Sequence, residues 1–276
     1  VNVEQRIRDL LEDRVRLHLE ARAFERAKPP KVAAWNVGKC VRQLWYGEHG
    51  HEPDPLTPRA LDTFSLGDSI EDAEVSLLAG AGVPILRTDE GHHSVRLDPP
   101  GLVVRPDYLL FLDHDTVLPC DVKSMSNRTF ARALKGQLDR TYEWQMECYL
   151  RAFRADVGVV HCYRKETSAR TNVLVWRDDE RWNRIVEAVE VARGQDLPDR
   201  PYSASDDCPG IADGKCVNGR TPTGRQAHSG CGGTGKNPDG AVLVYPCSYC
   251  PYKSTCWGEV EMFFTNDGEP RWRVVA

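Results

Sequence analysis

The alternation of apolar and polar positions divides the middle of the chain into short strand-like runs and longer helical ones. Val103, Val104 and then Tyr108 to Leu112 carry the bulky side chains that suit strands. Asp113-His114-Asp115 supplies turn chemistry, and Thr116 to Lys123 can return antiparallel. Ser124 to Arg128 predicts a helix start with Ser126 or Asn127 as cap, continuing to about Ala155 with a break near Gly136. Val157 to Arg164 and Thr171 to Arg177 are two further strand-like runs, and residues 179–193 predict a helix that turns Trp182, Ile185, Val186 and Val189 inward. Upstream, a proline-rich loop over 51–60 precedes an amphipathic helix from Phe64 to Leu78, with Leu66, Ile70, Ala73, Leu77 and Leu78 as its apolar face. This order predicts an α/β fold, a sandwich of helices around a mixed β-sheet.

The first 30 residues are less regular. Residues 4–27 read as a charged helix with an imperfect stripe of Leu10, Leu11, Val15, Leu17 and Leu19, ended by Pro29-Pro30. A chain of 276 residues with 41% hydrophobic content can bury one substantial core. No apolar run approaches the ~20 residues of a membrane span and the N-terminus is charged, so the expectation is a soluble, cytoplasmic protein of a bacterial or phage-infected cell, with no membrane partner. Val1 in place of methionine is expected of a trimmed chain or a non-ATG start.

The candidate chemistry sits on the predicted hairpin. Side chains alternate along a strand, so Asp121 and Lys123 share a face while Val122 points into the core. Asp107 lies near the end of the partner strand. Two hard oxygen donors suit Mg²⁺ or Mn²⁺, and a neighbouring ammonium can orient a water or stabilise charge on a phosphate. On these three residues alone, a hairpin with solvated charges fits as well.

Pro106-Asp107, then Asp121-Val122-Lys123, then Gln145-Met146-Glu147-Cys148-Tyr149 resembles the PD-(D/E)XK nuclease superfamily in its RecB-like exonuclease branch, the CRISPR-associated and phage members with an iron–sulfur cluster. The resemblance runs from about Cys40 to Cys256 and implies a restriction-endonuclease-like core. It implies that Asp107 and Asp121, with the Val122 carbonyl, hold Mn²⁺ or Mg²⁺, that Lys123 assists the attacking water, and that Gln145 orients site or substrate. Where related nucleases carry Gly-x-x-x-His with the histidine on the metal, this chain has Gly67 followed by Glu71. Glu71 is therefore the expected extra ligand, with His92 and His93 as alternatives.

Ten cysteines in such a chain point to metal ligation rather than disulfides. Cys247, Cys250 and Cys256 form a tight trio that needs a fourth thiolate, and four thiolates suit zinc or a 4Fe-4S cluster. The resemblance implies the cluster, with Cys40 as the fourth ligand. Cys208, Cys216, His228 and Cys231, in a glycine-rich insertion, are a candidate zinc site. Gly230 to Asn237 imitates a phosphate-binding loop but lacks its Ser or Thr and a leading strand. Cys120, Cys148 and Cys162 lie in apolar settings and read as core. The expected organisation is a nuclease core over 1–207, an insertion over 208–246 and an iron–sulfur segment over 247–276.

A net charge of -5 excludes a uniformly basic nucleic-acid coat. A local patch remains, with Arg128, Arg132, Lys135 and Arg140 as candidate DNA contacts and with Phe130, Tyr142, Trp144 and Tyr149 interleaved. The expected function is a metal-dependent DNA exonuclease acting on single-stranded ends, alone or with DNA-processing proteins. The alternative is a non-catalytic iron–sulfur DNA-binding adaptor of a DNA-processing or CRISPR-adaptation complex.

Overall fold

A computed structural model of the protein describes residues 31–88, 94–201, 243, 247, 250–264 and 270–275. The predicted opening helix, His92, His93, Cys208, Cys216, His228 and Cys231 lie outside them. The described residues fall into two units, one of 31–51 with 56–197 and another of 52–55 with those from 198 onward.

The first unit is built on a mixed sheet. Its elements are helices α1 (Val41–Glu48) and α2 (Pro58–Gly80), strands β1 (Ile85–Arg87), β2 (Val95–Leu97), β3 (Leu102–Val104), β4 (Tyr108–Phe111) and β5 (Val117–Met125), helices α3 (Asn127–Ala133) and α4 (Arg140–Phe153), strands β6 (Val157–Arg164) and β7 (Arg170–Trp176), and helix α5 (Asp179–Arg193). Among the described residues, five strands pair in the order β1-β4-β5-β6-β7, with β5 and β6 parallel and the other pairs antiparallel. The expected hairpin is β4–β5, which places Tyr108 opposite Cys120 and Phe111 opposite Val117. Asp113 makes its turn by accepting the amides of Asp115 at 2.9 Å and Thr116 at 2.7 Å. Val103 and Val104 do not extend this hairpin. They belong to β3, which pairs with β2 in a separate two-stranded sheet, because Pro106 cannot donate to a continuous ladder.

Helices cover both faces of the sheet. On one, Met125, Val160, Cys162, Val173 and Val175 pack with Met146, Cys148, Tyr149 and Leu150 of α4 and with Ile185, Val189 and Ala192 of α5. On the other, Tyr108, Leu118, Cys120, Val122 and Val159 pack with Val75 of α2. Cys120, Cys148 and Cys162 are all buried, and burial pushes the thiols of Cys120 and Cys162 up to about 12, so these cysteines are inert core residues. Helix α4 approaches the sheet at Gly158, where a Cβ would collide with the Met146 sulfur and stand 3.0 Å from the Pro119 carbonyl. Gly158→Ala is expected to cost about 1–3 kcal/mol by overpacking, read by chemical denaturation. An unchanged midpoint would mean that α4 can shift without cost.

Local signals set the helix boundaries. Ser126 caps α3, Asp139 caps α4 and Asp178 caps α5, each side chain accepting an amide of the first turn. The break near Gly136 occurs where expected, with that glycine at φ 72°. Helix α2 begins at Pro58, six residues before the sequence expectation, because Thr57 accepts the Ala60 amide at 3.2 Å and proline suits the first helical position. Its inward face also differs. Leu66 and Leu77 are about half exposed and Ala73 is exposed, whereas Leu61, Glu74 and Val75 are buried. A buried carboxylate on the inner face rotates the stripe away from the one that apolar residues alone define.

In the second unit, helix α6 (Lys253–Trp257) leads into a hairpin of β8 (Val260–Phe264) and β9 (Pro270–Val274). Asp54 ties the start of α6, accepting from Lys253 Nζ at 3.1 Å and from the Ser254 amide at 3.2 Å. Among the described residues, no helix is long and apolar enough to cross a membrane.

Candidate active site

Asp107 is the residue immediately before β4. Its amide donates to the Cys120 carbonyl at 3.0 Å, and the side chain of buried Thr88 lies against the carbonyls of Pro106 and Asp107. This backbone support turns the carboxyl toward β5, where its Oδ2 accepts the Val122 amide at 2.6 Å.

Asp121 stands beside it on β5 and is 2% exposed. Three donors converge on its carboxylate: Gln145 Nε2 at 3.0 Å and the Tyr149 hydroxyl at 3.2 Å on Oδ1, and the Lys123 ammonium on Oδ2. Gln145 and Tyr149 arrive together because residues four apart on α4 share a face, and Gln145 Nε2 also donates to the Tyr149 hydroxyl at 2.5 Å. The same hydroxyl lies 3.0 Å from the Arg105 carbonyl. Tyr149, expected among the DNA contacts, is therefore an internal brace. Its ring is 1% exposed and offers no face to a base. Phe130 is buried in the same core, while Tyr142 and Trp144 keep part of their surface. The Tyr142 ring lies under the Lys123 ammonium, 5.4 Å from Nζ to centroid.

Glu71 of α2 stands next to this group, where burial and then the neighbouring Asp107, Asp121 and Lys123 set its charge state. Burial raises Asp107 well above the usual carboxylate range, with a further push from Asp121. Burial likewise raises Glu71. For Lys123, burial would lower the ammonium, but the carboxylates of Asp121 and Asp107 outweigh it and hold the group above its ordinary range. Lys123 is thus a fixed positive charge and not a proton acceptor. Asp107, Asp121 and Glu71 are hard-oxygen donors of the chemical kind that suits a divalent cation, and such a cation would relieve the crowding of like charges that raises Asp107. Among the described residues, no three Asp, Glu, His or Cys side chains are placed close enough together to hold a metal ion as they stand.

Sequence reasoning missed a second polar cluster beside this one. Glu74 binds Arg170 through both oxygens, at 2.6 and 2.7 Å, and lies 3.0 Å from His161. Its signal was His161 itself, an imidazole within the apolar run Val157 to Tyr163 that a buried strand must supply with partners. Glu147, fully buried on α4, is held by Arg151 at 2.8 Å and by Arg181 and the Asp178 amide at 3.0 Å. Arg151 is thereby neutralised. Arg128, Arg132, Lys135 and Arg140 are exposed, although Arg140 also donates to the Gly38 carbonyl at 3.0 and 3.2 Å.

No protein-family model matches the chain, and no curated protein is similar to it in sequence. Solved structures with a similar course include an alkaline exonuclease, LHK-Exo, from Laribacter hongkongensis, with a TM-score of 0.44 at 15% identity over 60% of this chain and 87% of that one. SSO0001 gives 0.43 at 14% identity over 67% and 86%, and a phage related exonuclease from Haemophilus somnus 129PT gives 0.40 at 14% over 59% and 92%. These likenesses are slight, and the functional reading rests on the site.

Proposed function

We propose that the chain is a Mn²⁺- or Mg²⁺-dependent nuclease of the PD-(D/E)XK kind, acting as an exonuclease on single-stranded DNA. The observation that carries this is the convergence of Glu71, Asp107, Asp121, Lys123 and Gln145, drawn from two helices, strand β5 and the residue before β4, on one largely buried cluster. Glu71, Asp107 and Asp121 would hold the ion, with the Val122 carbonyl as a further ligand. When bound, the ion supplies Lewis acidity toward a phosphodiester and lowers the pKa of water. The chain's own residues do the rest. Lys123 places a fixed positive charge where phosphate charge develops, and Gln145 and Tyr149 hold the Asp121 carboxylate in one orientation. Arg128, Arg132 and Lys135 supply charge for the strand, and the partly exposed rings of Tyr142 and Trp144 suit unpaired bases. An acidic chain fits a short single-strand contact better than a long duplex footprint.

Purified protein is expected to degrade linear single-stranded DNA when Mn²⁺ or Mg²⁺ is added and to stop with EDTA. Circular single strands of matched sequence at the same salt should resist. Equal rates on circle and linear strand would make it an endonuclease.

We also propose, on the family resemblance, that Cys247, Cys250 and Cys256 hold a 4Fe-4S cluster with Cys40 as the fourth ligand. The Tyr252 amide donates to Cys250 Sγ at 3.5 Å, which orients this sulfur. Such a cluster would act as a covalent staple. Anaerobically purified protein should carry iron and sulfide, and Cys256→Ser should lose them; stoichiometric zinc without iron would overturn the assignment.

A further inference from the structure

Helix α2 is long but weakly held by apolar contact. Over the 23 residues from Pro58 to Gly80, Leu61, Glu74 and Val75 are the buried ones, while Phe64, Leu66 and Leu77 are each about half exposed. One face of a helix this long is ordinarily fixed by a continuous apolar stripe. Here, a carboxylate occupies the middle of the contact.

The partners of Glu74 lie across the sheet. Arg170 on β7 grips it through both oxygens, at 2.6 and 2.7 Å, a planar match that fixes angle as well as distance. His161 on β6 brings Nε2 to 3.0 Å, and its Nδ1 lies 2.8 Å from Asn172 Oδ1 on β7. His161 is also the register partner of Val122, the residue between Asp121 and Lys123. Glu74 thus pins α2 to the strand next to the one that carries the site. Glu71 is three residues away, on an adjacent part of the same helical surface.

We infer that Glu74 is a positioning residue for the proposed metal site: its contacts with Arg170 and His161 set where α2 lies along the sheet, and so whether Glu71 reaches Asp107. Glu74 touches neither the metal nor DNA in this assignment. Arg170 is partly exposed, but Glu74 and His161 are buried, so shortening Glu74 removes the oxygens that hold α2 to β6 and β7 and leaves the His161 ring without this partner, and the helix must shift or loosen. Metal-site supports of this kind cost about 10- to 100-fold in affinity when removed. The inference rests on the nuclease reading for its consequence, but not for its first step.

The test measures both steps separately, using the full chain. Hydrogen exchange of the α2 amides in EDTA reports the position of the helix, and Mn²⁺ binding, followed by the electron paramagnetic resonance of unbound Mn²⁺, reports the site. Glu74→Ala should speed exchange over Leu66–Val75 by about tenfold or more and weaken Mn²⁺ by about 10- to 100-fold, with turnover at saturating Mn²⁺ changed far less. Glu74→Gln, which keeps the shape and one acceptor, should fall between. Glu71→Gln should weaken Mn²⁺ with α2 exchange unchanged. If Glu74→Ala does not fold, Glu74→Gln carries the comparison. Unchanged α2 exchange in a folded variant overturns the positioning role, as does faster exchange with undiminished Mn²⁺ affinity. Wild-type protein that neither binds Mn²⁺ nor cleaves DNA overturns the nuclease reading instead, and α2 exchange still decides whether Glu74 positions the helix.

Discussion

Asp107→Asn is expected to abolish metal-dependent cleavage and, in the same protein, to raise the stability of the metal-free state near neutral pH. Both effects come from one cause. Burial and the neighbouring Asp121 raise the folded-state pKa of Asp107 well above its unfolded value. Between those two values the native state binds more protons than the unfolded chain, so stability falls as pH rises through the window. The window opens near the ordinary aspartate pKa of about 4 and extends upward to the folded value. Within it, wild-type protein loses up to roughly 1.4 kcal/mol per pH unit at this site. Glu71, whose pKa burial also raises, contributes with the same sign.

Asparagine removes the penalty while keeping the geometry. Its Oδ1 can accept the Val122 amide that now donates to Asp107 Oδ2 at 2.6 Å, and its neutral amide places no second negative charge beside Asp121. It cannot bind a divalent ion as a carboxylate does. The measurement is denaturation in EDTA at pH 5 and pH 8 for both proteins. The stability difference in favour of Asp107→Asn should grow with pH, and cleavage should fall by a factor of about 10³ or more. A difference that shrinks as pH rises would reverse the assigned sign. Such a gain in stability on losing function is what a site built from like charges predicts.

How far this site could be read from sequence depends on the range of each signal. The β4–β5 hairpin rests on local chemistry, a turn at Asp113 between two runs of bulky residues, and forms as expected. The cluster of Asp107, Asp121 and Lys123 follows from that hairpin and from period-two alternation, and Gln145 follows from its spacing to Tyr149 on one helical face. Whether Tyr149 would stack on a base or brace the interior was not decidable from spacing, since the face that meets Asp121 is also the face that meets the core. Glu74 and His161 are 87 residues apart, and no local pattern joins them. The α2 stripe shows the same limit, because counting only apolar residues leaves out the buried carboxylate that orients the helix. In the tail, Asn266-Asp267-Gly268 between two runs of bulky residues is hairpin chemistry. The cysteine spacing drew the reading toward metal ligation, and the β8–β9 pair was missed.

Lys123→Met is expected to separate metal binding from turnover more sharply than any other single change. The ammonium now pairs with Asp121 Oδ2, on a carboxylate that is almost wholly buried. Removing it takes away the positive charge while Gln145 and Tyr149 still donate to Oδ1, so the metal-free variant should lose about 3–5 kcal/mol as an uncompensated buried charge. A divalent ion can restore what the ammonium supplied, and the like-charge repulsion between Lys123 and the ion is gone. Mn²⁺ should therefore bind Lys123→Met at least as tightly as wild type, and the rise in melting temperature on adding saturating Mn²⁺ should be larger in the variant. Turnover should nonetheless fall by about 10²- to 10³-fold, because no fixed charge remains to meet the developing phosphate charge. Lys123→Arg should rescue little, since a planar fork does not substitute for a point charge beside the Tyr142 ring. The deciding pair of measurements is Mn²⁺ affinity and single-turnover cleavage at saturating Mn²⁺. Loss of both together would make Lys123 a part of the metal-binding scaffold, and loss of neither would remove it from the site's chemistry.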